Sequence, residues 1–288
     1  MIVLVSGKNG QLGKELQDIV ARSDQFIQFI FLDKQELDIA DESSLQTIFQ
    51  KYSPAFFINC AAYTAVDKAE TEQERAYLIN AEAVGNIAKL SHEFKTKLIH
   101  ISTDYVFDGK GERPYTESDP TNPVNYYGYT KWIGEQLALN NNPDTIIIRT
   151  SWVYSAYGNN FVRTMLRLMK ERKEINVVND QLGSPTYAKD LAEVVVSIVN
   201  SQQSTVSGQQ PGIFHFSNDG IISWYDFAVA IKEIKQLDCI VHPIPTSAYP
   251  TAAKRPAYSG LDKSKIVTMF NIKLKNWKDS LECCLQSL

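Results

Sequence analysis

Residues 3–16 read VLVSGKNGQLGKEL: an apolar run breaks into Gly7, Gly10 and Gly13 and then resumes with a new periodicity. Before the break the residues are uniformly apolar, as in a strand covered on both faces. After it Leu12, Leu16 and Ile19 recur at helical spacing. Between them, a turn without Cβ atoms lets the backbone approach a pyrophosphate, which then rests on the N–H groups of the helix N-terminus. Glycine spacing by itself describes many turns. Its position after the first strand and before a helix points to dinucleotide binding.

Outward from this unit the chain keeps alternating. Strand-like FIQFIFLD, AFFINCAA and KLIHIST are separated by helical DESSLQTIFQKY and by a long helical stretch from about Glu72 to Phe94. Helical YYGYTKWIGEQLAL, strand-like TIIIRTSW and a helix from about Phe161 to Arg172 follow. Such alternation predicts βαβ units and an α/β fold, a doubly wound parallel sheet of Rossmann type. We assign residues 1–152 to the dinucleotide-binding domain. Residues 153–288 form a smaller, mainly substrate-binding C-terminal region, with some segments returning to the first domain. The loops NDQLGSPTY, QQSTVSGQQPG and PIPTSAYPTAAKRPAYSG belong to that region. No internal repeat is present.

Bulk properties narrow the partners. The chain has 288 residues, 44% of them hydrophobic, and a net charge of −4 without a basic stripe, so nucleic acid is not an expected partner. No run approaches the roughly 20 apolar residues that cross a bilayer, and the N-terminus has no basic leader or cleavage-site pattern, so a cytoplasmic location is expected. Cys60, Cys239, Cys283 and Cys284 lack metal or redox spacing and are read as structural thiols. His92, His100, His215 and His242 are scattered, with His100 inside an apolar strand pattern.

Asp33 closes the second strand about 20 residues beyond the glycines, where a carboxylate accepts the adenosine ribose hydroxyls. That favours NADH, while the adjacent Lys34 keeps NADPH open.

The stretch NYYGYTK, residues 125–131, offers three tyrosines and a lysine. At about 100° per residue, Tyr127 lies about 40° from Lys131, whereas Tyr126 and Tyr129 are about 140° and 200° away. Bringing a phenol from about 10 to neutrality takes roughly 4 kcal/mol, much of which a neighbouring ammonium supplies. HISTDYVFDG places Thr103 and Asp104 at the end of a parallel strand, where open α/β sheets bind ligands.

Together GKNGQLGKEL, LDI at 37–39, NCAAYTAVDKAE, STDYVFDG, NYYGYTKWIGE, RTSWVY, DQLGSPTYAKDLA and KRPAYSGLD resemble, over essentially the full length, the extended short-chain dehydrogenase/reductases. Within them the match is to the dTDP-4-dehydrorhamnose reductases. The resemblance implies NADPH- or NADH-dependent reduction of a dTDP-4-keto sugar at C4. It makes Tyr127 the proton donor, Lys131 the group that lowers its pKa and holds the nicotinamide ribose, and Thr103 the third member in place of serine. Cofactor positions carried over are Gly10, Gln11, Leu12, Asp38, Ile39, Ala62, Tyr63 and Thr64, with Tyr63 standing where relatives usually have His. Substrate positions are Thr103, Asp104, Trp152 and Arg255, the last for the diphosphate.

Some relatives dimerise around Mg²⁺. Glu15 matches one of their carboxylates, but Asp190 replaces Glu at another and the tail LECCLQSL lacks the third, so a metal-free monomer or weak homodimer is expected. The alternatives are a reductase or epimerase of another nucleotide 4-keto-6-deoxysugar, or a non-catalytic NADP-binding regulatory subunit. Tyr105 after Asp104, where dehydratases carry Glu, argues against elimination. An intact Tyr127, Lys131 and Thr103 argue against a purely regulatory role.

Overall fold

The computed structural model describes residues 1–22, 27–201 and 211–288; most of the predicted loop QQSTVSGQQPG lies outside them. Its centre is a six-stranded parallel sheet of β1 (Ile2–Ser6), β2 (Gln28–Leu32), β3 (Phe56–Asn59), β4 (Lys97–Thr103), β5 (Ile146–Thr150) and a sixth strand, Gly212–His215. The order across the sheet is sixth, β5, β4, β3, β1, β2. Val3 sits opposite Phe29 on one side and Phe56 on the other. Successive connections therefore run in opposite directions from β1. The crevice where they diverge is the point at which such sheets take ligands.

Alternate residues of each strand point to opposite faces, and here both faces are apolar. Val3, Val5, Ile58, Ile99 and Ile148 pack against Leu12 and Leu16 of α1 (Gln11–Val20) and Leu191, Val195 and Val199 of the helix Ala188–Ser201. Leu4, Phe57, Leu98 and Ile147 pack on the other side against Leu45 and Phe49 of α2 (Glu42–Tyr52) and Val84 and Ile87 of the helix Ala83–Glu93. Asp41 caps α2 by accepting the Ser43 amide, and Ser53 ends it in the left-handed region at φ 39°.

The helix expected from Glu72 to Phe94 is interrupted. Gln73–Tyr77 and Ala83–Glu93 are α-helical, but Leu78–Glu82 widens into a π turn. There Asn80 accepts the Tyr63 amide, donates to the Tyr63 carbonyl and donates to Thr130, pinning the loop after β3 to the next helix. Periodicity over a window does not register one inserted residue, and such bulges gather near functional sites.

That next helix, Tyr126–Asn141, begins where Asn125 accepts the Gly128 amide. Its Glu135 receives both Nε and Nη2 of Arg149 on β5, at 2.9 and 2.6 Å, plus the hydroxyl of Ser102 on β4. Arg149 and Glu135 are almost fully buried, so this bidentate pair locks the helix to the sheet in a low-dielectric environment.

Beyond β5 a second core gathers Tyr154, Val162, Ile175, Phe227, Ile231 and Leu281. It is built from the helices Phe161–Glu171, Trp224–Ile234 and Trp277–Gln286 around a parallel pair, Glu174–Val178 with Ile240–Ile244. Ser223 and Asp226 form a capping box at the head of Trp224–Ile234. The helix Ala188–Ser201 and the strand Gly212–His215, although late in the sequence, pack in the first core.

Candidate active site

A cleft of about 750 Å³ runs along the carboxyl ends of β1 to β5, within the range of small-molecule sites. At one end is the glycine turn. Gly7 has φ +77°, and a Cβ there would lie 2.8 Å from the Ala61 amide nitrogen. Gly13 faces away from the cleft, where a Cβ would meet the Gly7 carbonyl oxygen at 2.3 Å; it brings α1 against the turn. Gly10 precedes α1 without a side-chain cap, so the first N–H groups of the helix are available to an anion.

Asp33 lies at the end of β2 beside this turn. Its Oδ1 accepts the amides of Gln35 and Glu36, and Lys8 is 3.2 Å from Oδ2. The Glu36 amide, first among these, holds the carboxyl below its usual range. Lys34 is paired with Asp38 at 3.6 Å. Asp38, Ile39, Ala62 and Thr64 line the cleft with Gln11 and Leu12. Tyr63 does not: its ring turns toward Arg75, and its backbone is held by Asn80.

At the other end β4 delivers Thr103 and Asp104 beside Tyr127 and Lys131. Tyr127 is buried, whereas Tyr129 is exposed. The Thr103 hydroxyl donates to Asp104 Oδ1 at 2.9 Å and accepts the Tyr105 amide at 3.2 Å. Its donor spent on Asp104, Thr103 is left as an acceptor toward the Tyr127 phenol. Burial pushes that phenol up to about 12.

The expected action of Lys131 on Tyr127 is not what the geometry shows. The Lys131 Nζ donates to the Ile101 carbonyl at 2.7 Å and lies 3.3 Å from His100 Nε2. Sharing a helical face brought the side chains to one cleft, but strand β4 offers the Lys131 Nζ nearer partners. Burial lowers Lys131 to about 8.

Asp104 is 2% exposed, its Oδ2 has no hydrogen-bond partner, and burial raises its carboxyl from 3.8 to about 6. A folded-state pKa raised in this way favours folding below pH 3.8, and that advantage is lost as pH rises through about 6. Asp104→Asn stays neutral throughout. Its melting temperature minus that of the wild type should therefore climb between those limits and then level, by the equivalent of about 3 kcal/mol. A difference that is flat across that window would show that the carboxyl is not raised.

Trp152 also lines the cleft, in the left-handed region at φ +47°. Stacking on Trp224, with centroids 3.5 Å apart, holds it there. Arg255 stands outside the wall of the cleft, bound to Asp67 at 2.7 Å and to the Ala253 carbonyl. Glu15 is buried under the Ser155 hydroxyl, and Asp190 is taken by Lys275, Asn218 and Ser280. Neither carboxylate lines the cleft.

The sequence reading missed Gly158, Asn159 and Asn160, which reach back from the second region to line the glycine end of the cleft. Asn160 caps Phe161–Glu171 and donates to Gln11 Oε1 at 2.9 Å. Asn before a helical pattern was a legible capping signal; the contact across 149 positions was not.

A family model described as the RmlD substrate binding domain matches residues 1–288. The chain is 43% identical to the spore coat polysaccharide biosynthesis protein SpsK of Bacillus subtilis (strain 168), over 99% of this chain and 96% of that protein. It is 40% identical to a dTDP-4-dehydrorhamnose reductase of Aggregatibacter actinomycetemcomitans, over 97% of each. A crystal structure of dTDP-4-dehydrorhamnose reductase from Bacillus anthracis in complex with NADP superposes with a TM-score of 0.93 at 39% identity, over 100% of this chain and 99% of that one.

Proposed function

Because the chain belongs to the RmlD substrate binding domain family, we infer that it is an NAD(P)H-dependent oxidoreductase that reduces the C4 keto group of dTDP-4-dehydro-L-rhamnose to give dTDP-L-rhamnose. The observation that carries this reading is that Tyr127, Thr103 and Lys131 share one cleft with an uncapped glycine turn. Among the described residues no helix is long and apolar enough to cross a membrane.

The glycine end suits a dinucleotide. Gly7 has no room for a Cβ, so the backbone of Gly7 and Gly10 and the first turn of α1 would hold the pyrophosphate, with Gln11 and Leu12 alongside. Asp33 would take the adenosine ribose, and Asp38, Ile39, Ala62 and Thr64 the adenine side. The Tyr63 backbone, fixed by Asn80, would keep its neighbours Ala62 and Thr64 in place. Bound there, a reduced nicotinamide supplies the hydride for the sugar carbonyl carbon.

Tyr127 then gives its phenolic proton to the oxygen at C4 as charge develops on it. A phenol pushed up to about 12 keeps its proton at neutral pH, as an acid must. Thr103 orients the phenol through its free lone pair, and Asp104 holds Thr103 in that role. Lys131 would hold the nicotinamide ribose. Trp152, one face taken by Trp224, turns the other to the deoxysugar.

Arg255 would meet the diphosphate by exchanging Asp67 for a phosphate oxygen, an exchange that its planar fork permits. Arg255→Ala should raise KM for the dTDP-sugar about 10- to 100-fold, the worth of a charge-assisted contact, with KM for NAD(P)H unchanged. An unaltered sugar KM would leave Arg255 as a partner of Asp67 alone. The activity itself is tested by following nicotinamide absorbance with dTDP-4-dehydro-L-rhamnose. Oxidation with appearance of dTDP-L-rhamnose is expected, and cofactor binding without oxidation would overturn the assignment.

A further inference from the structure

We propose that Asn59 and His100 are positioning residues that govern when Lys131 carries its charge, by holding the His100 ring as the tautomer protonated on Nε2. The proposal rests on the reading of this cleft as a reductase site in which Lys131 takes part.

Ser6 on β1, Asn59 on β3, His100 on β4 and Lys131 form a continuous hydrogen-bonded line, none of them more than 2% exposed. The polarity of this line follows from one group whose role is not negotiable. The backbone N–H of Ala61 can only donate, and it lies 3.3 Å from Asn59 Oδ1, to which the Ser6 hydroxyl also donates at 2.7 Å. The Asn59 amide is thereby oriented. Its Nδ2 faces His100 Nδ1 at 3.2 Å and donates to it. That nitrogen must carry a lone pair, so the neutral ring has its proton on Nε2.

The Nε2–H then points at Lys131 Nζ, 3.3 Å away. A neutral amine accepts this hydrogen bond; an ammonium has no lone pair with which to do so. The Ile101 carbonyl, 2.7 Å from Nζ, is satisfied by either form. The line therefore favours the amine.

Other groups around Lys131 are few. Its own helix contributes Tyr127 and Glu135, and Glu135 is already paired with Arg149 of β5. β4 contributes His100, itself kept neutral by burial and by Lys131. β1 and β3 contribute the uncharged Ser6 and Asn59. Cys60, after β3, is held as a thiol by burial, at about 12. Burial already lowers Lys131 to about 8, and the Nε2–H works in the same direction. With a midpoint of about 8 the ammonium still predominates at neutral pH, and the Nε2–H brings the loss of that charge closer to the working range.

Asn59→Asp inverts the line with almost no change in shape. A carboxylate still accepts from Ser6 and Ala61 but now also accepts an Nδ1–H, so the His100 proton moves to Nδ1 and Nε2 becomes an acceptor for the ammonium. Imidazole ¹⁵N NMR of the full-length protein without cofactor, with His100→Gln identifying the ring, should show Nε2–H in the wild type and Nδ1–H in Asn59→Asp. The Lys131 midpoint, read from its ¹³Cε shift and identified with Lys131→Met, should rise about one pH unit in Asn59→Asp, a tenfold gain in proton affinity. The alkaline limb of kcat should move with it.

An Nδ1–H ring in the wild type, or a ring that does not change over, would overturn the proposal. So would a Lys131 midpoint or an alkaline limb that stays in place when the ring changes. Both NMR readings are independent of turnover. An inactive protein with the stated tautomers and midpoints would count against the reductase reading while upholding the control of Lys131.

Discussion

Tyr127→Phe is expected to lower kcat about 10²- to 10⁴-fold, the usual worth of a positioned general acid, with NAD(P)H affinity close to that of the wild type. The substitution removes one oxygen from a ring that is otherwise packed: Tyr105 meets it edge-on at 5.6 Å, and Tyr63, Ala69 and Ala76 surround it. The phenyl ring keeps those contacts, so the loss falls on proton transfer alone. Tyr126→Phe and Tyr129→Phe are the controls. Tyr129 is 38% exposed, and both should retain near-wild-type turnover. Stopped-flow kinetics with dTDP-4-dehydro-L-rhamnose, alongside cofactor titration, would decide. Undiminished kcat in Tyr127→Phe would remove the acid from this position.

Glu135→Ala should be the most damaging single change to stability, costing about 3–5 kcal/mol. Glu135 is 0% exposed, and its two oxygens take both Arg149 nitrogens and the Ser102 hydroxyl. Without it, a guanidinium stays buried between β5 and the helix Tyr126–Asn141 with the Phe107 ring at 5.1 Å as a weak substitute. Denaturant unfolding measures the loss directly. Glu135→Gln, which preserves shape and some hydrogen bonds, should fall between the two. A loss below about 1 kcal/mol in Glu135→Ala would show that the pair contributes little beyond packing.

Both variants concern the same helix, and their contrast shows how the site is divided. Tyr127 and Lys131 face the cleft; Glu135, one turn on, faces the sheet and holds the other two in place. Activity should be lost with stability intact in the first variant. In the second, stability should fall before any change in chemistry.

How far the site could be read from the sequence depended on distance along the chain. The glycine turn, Asp33 and the phase of Tyr127 against Lys131 all involve residues within one strand-turn-helix unit or one helix, where covalent geometry limits the outcome. The π turn at Leu78–Glu82 escaped because its cause is Asn80 reaching Tyr63 and Thr130, 17 and 50 positions away. Gly158 to Asn160 escaped for the same reason. His100 lies inside an apolar strand pattern. It is buried, but the interest lies in its two nitrogens, whose partners come from β3 and from the helix Tyr126–Asn141.

Local sequence thus determined the alternation of elements, the doubly wound parallel class, the glycine turn between β1 and α1 and the one tyrosine in phase with the lysine, because each rests on period, chirality and the absence of Cβ atoms over a few residues. Tertiary structure alone decided where charge goes. It turned Lys131 toward Ile101 and His100, tied Arg255 to Asp67, spent the Thr103 proton on Asp104 and gave Glu135 to Arg149. Hydrogen bonds and burial join residues that the chain keeps far apart, and the protonation of a group follows the neighbours it meets in the fold.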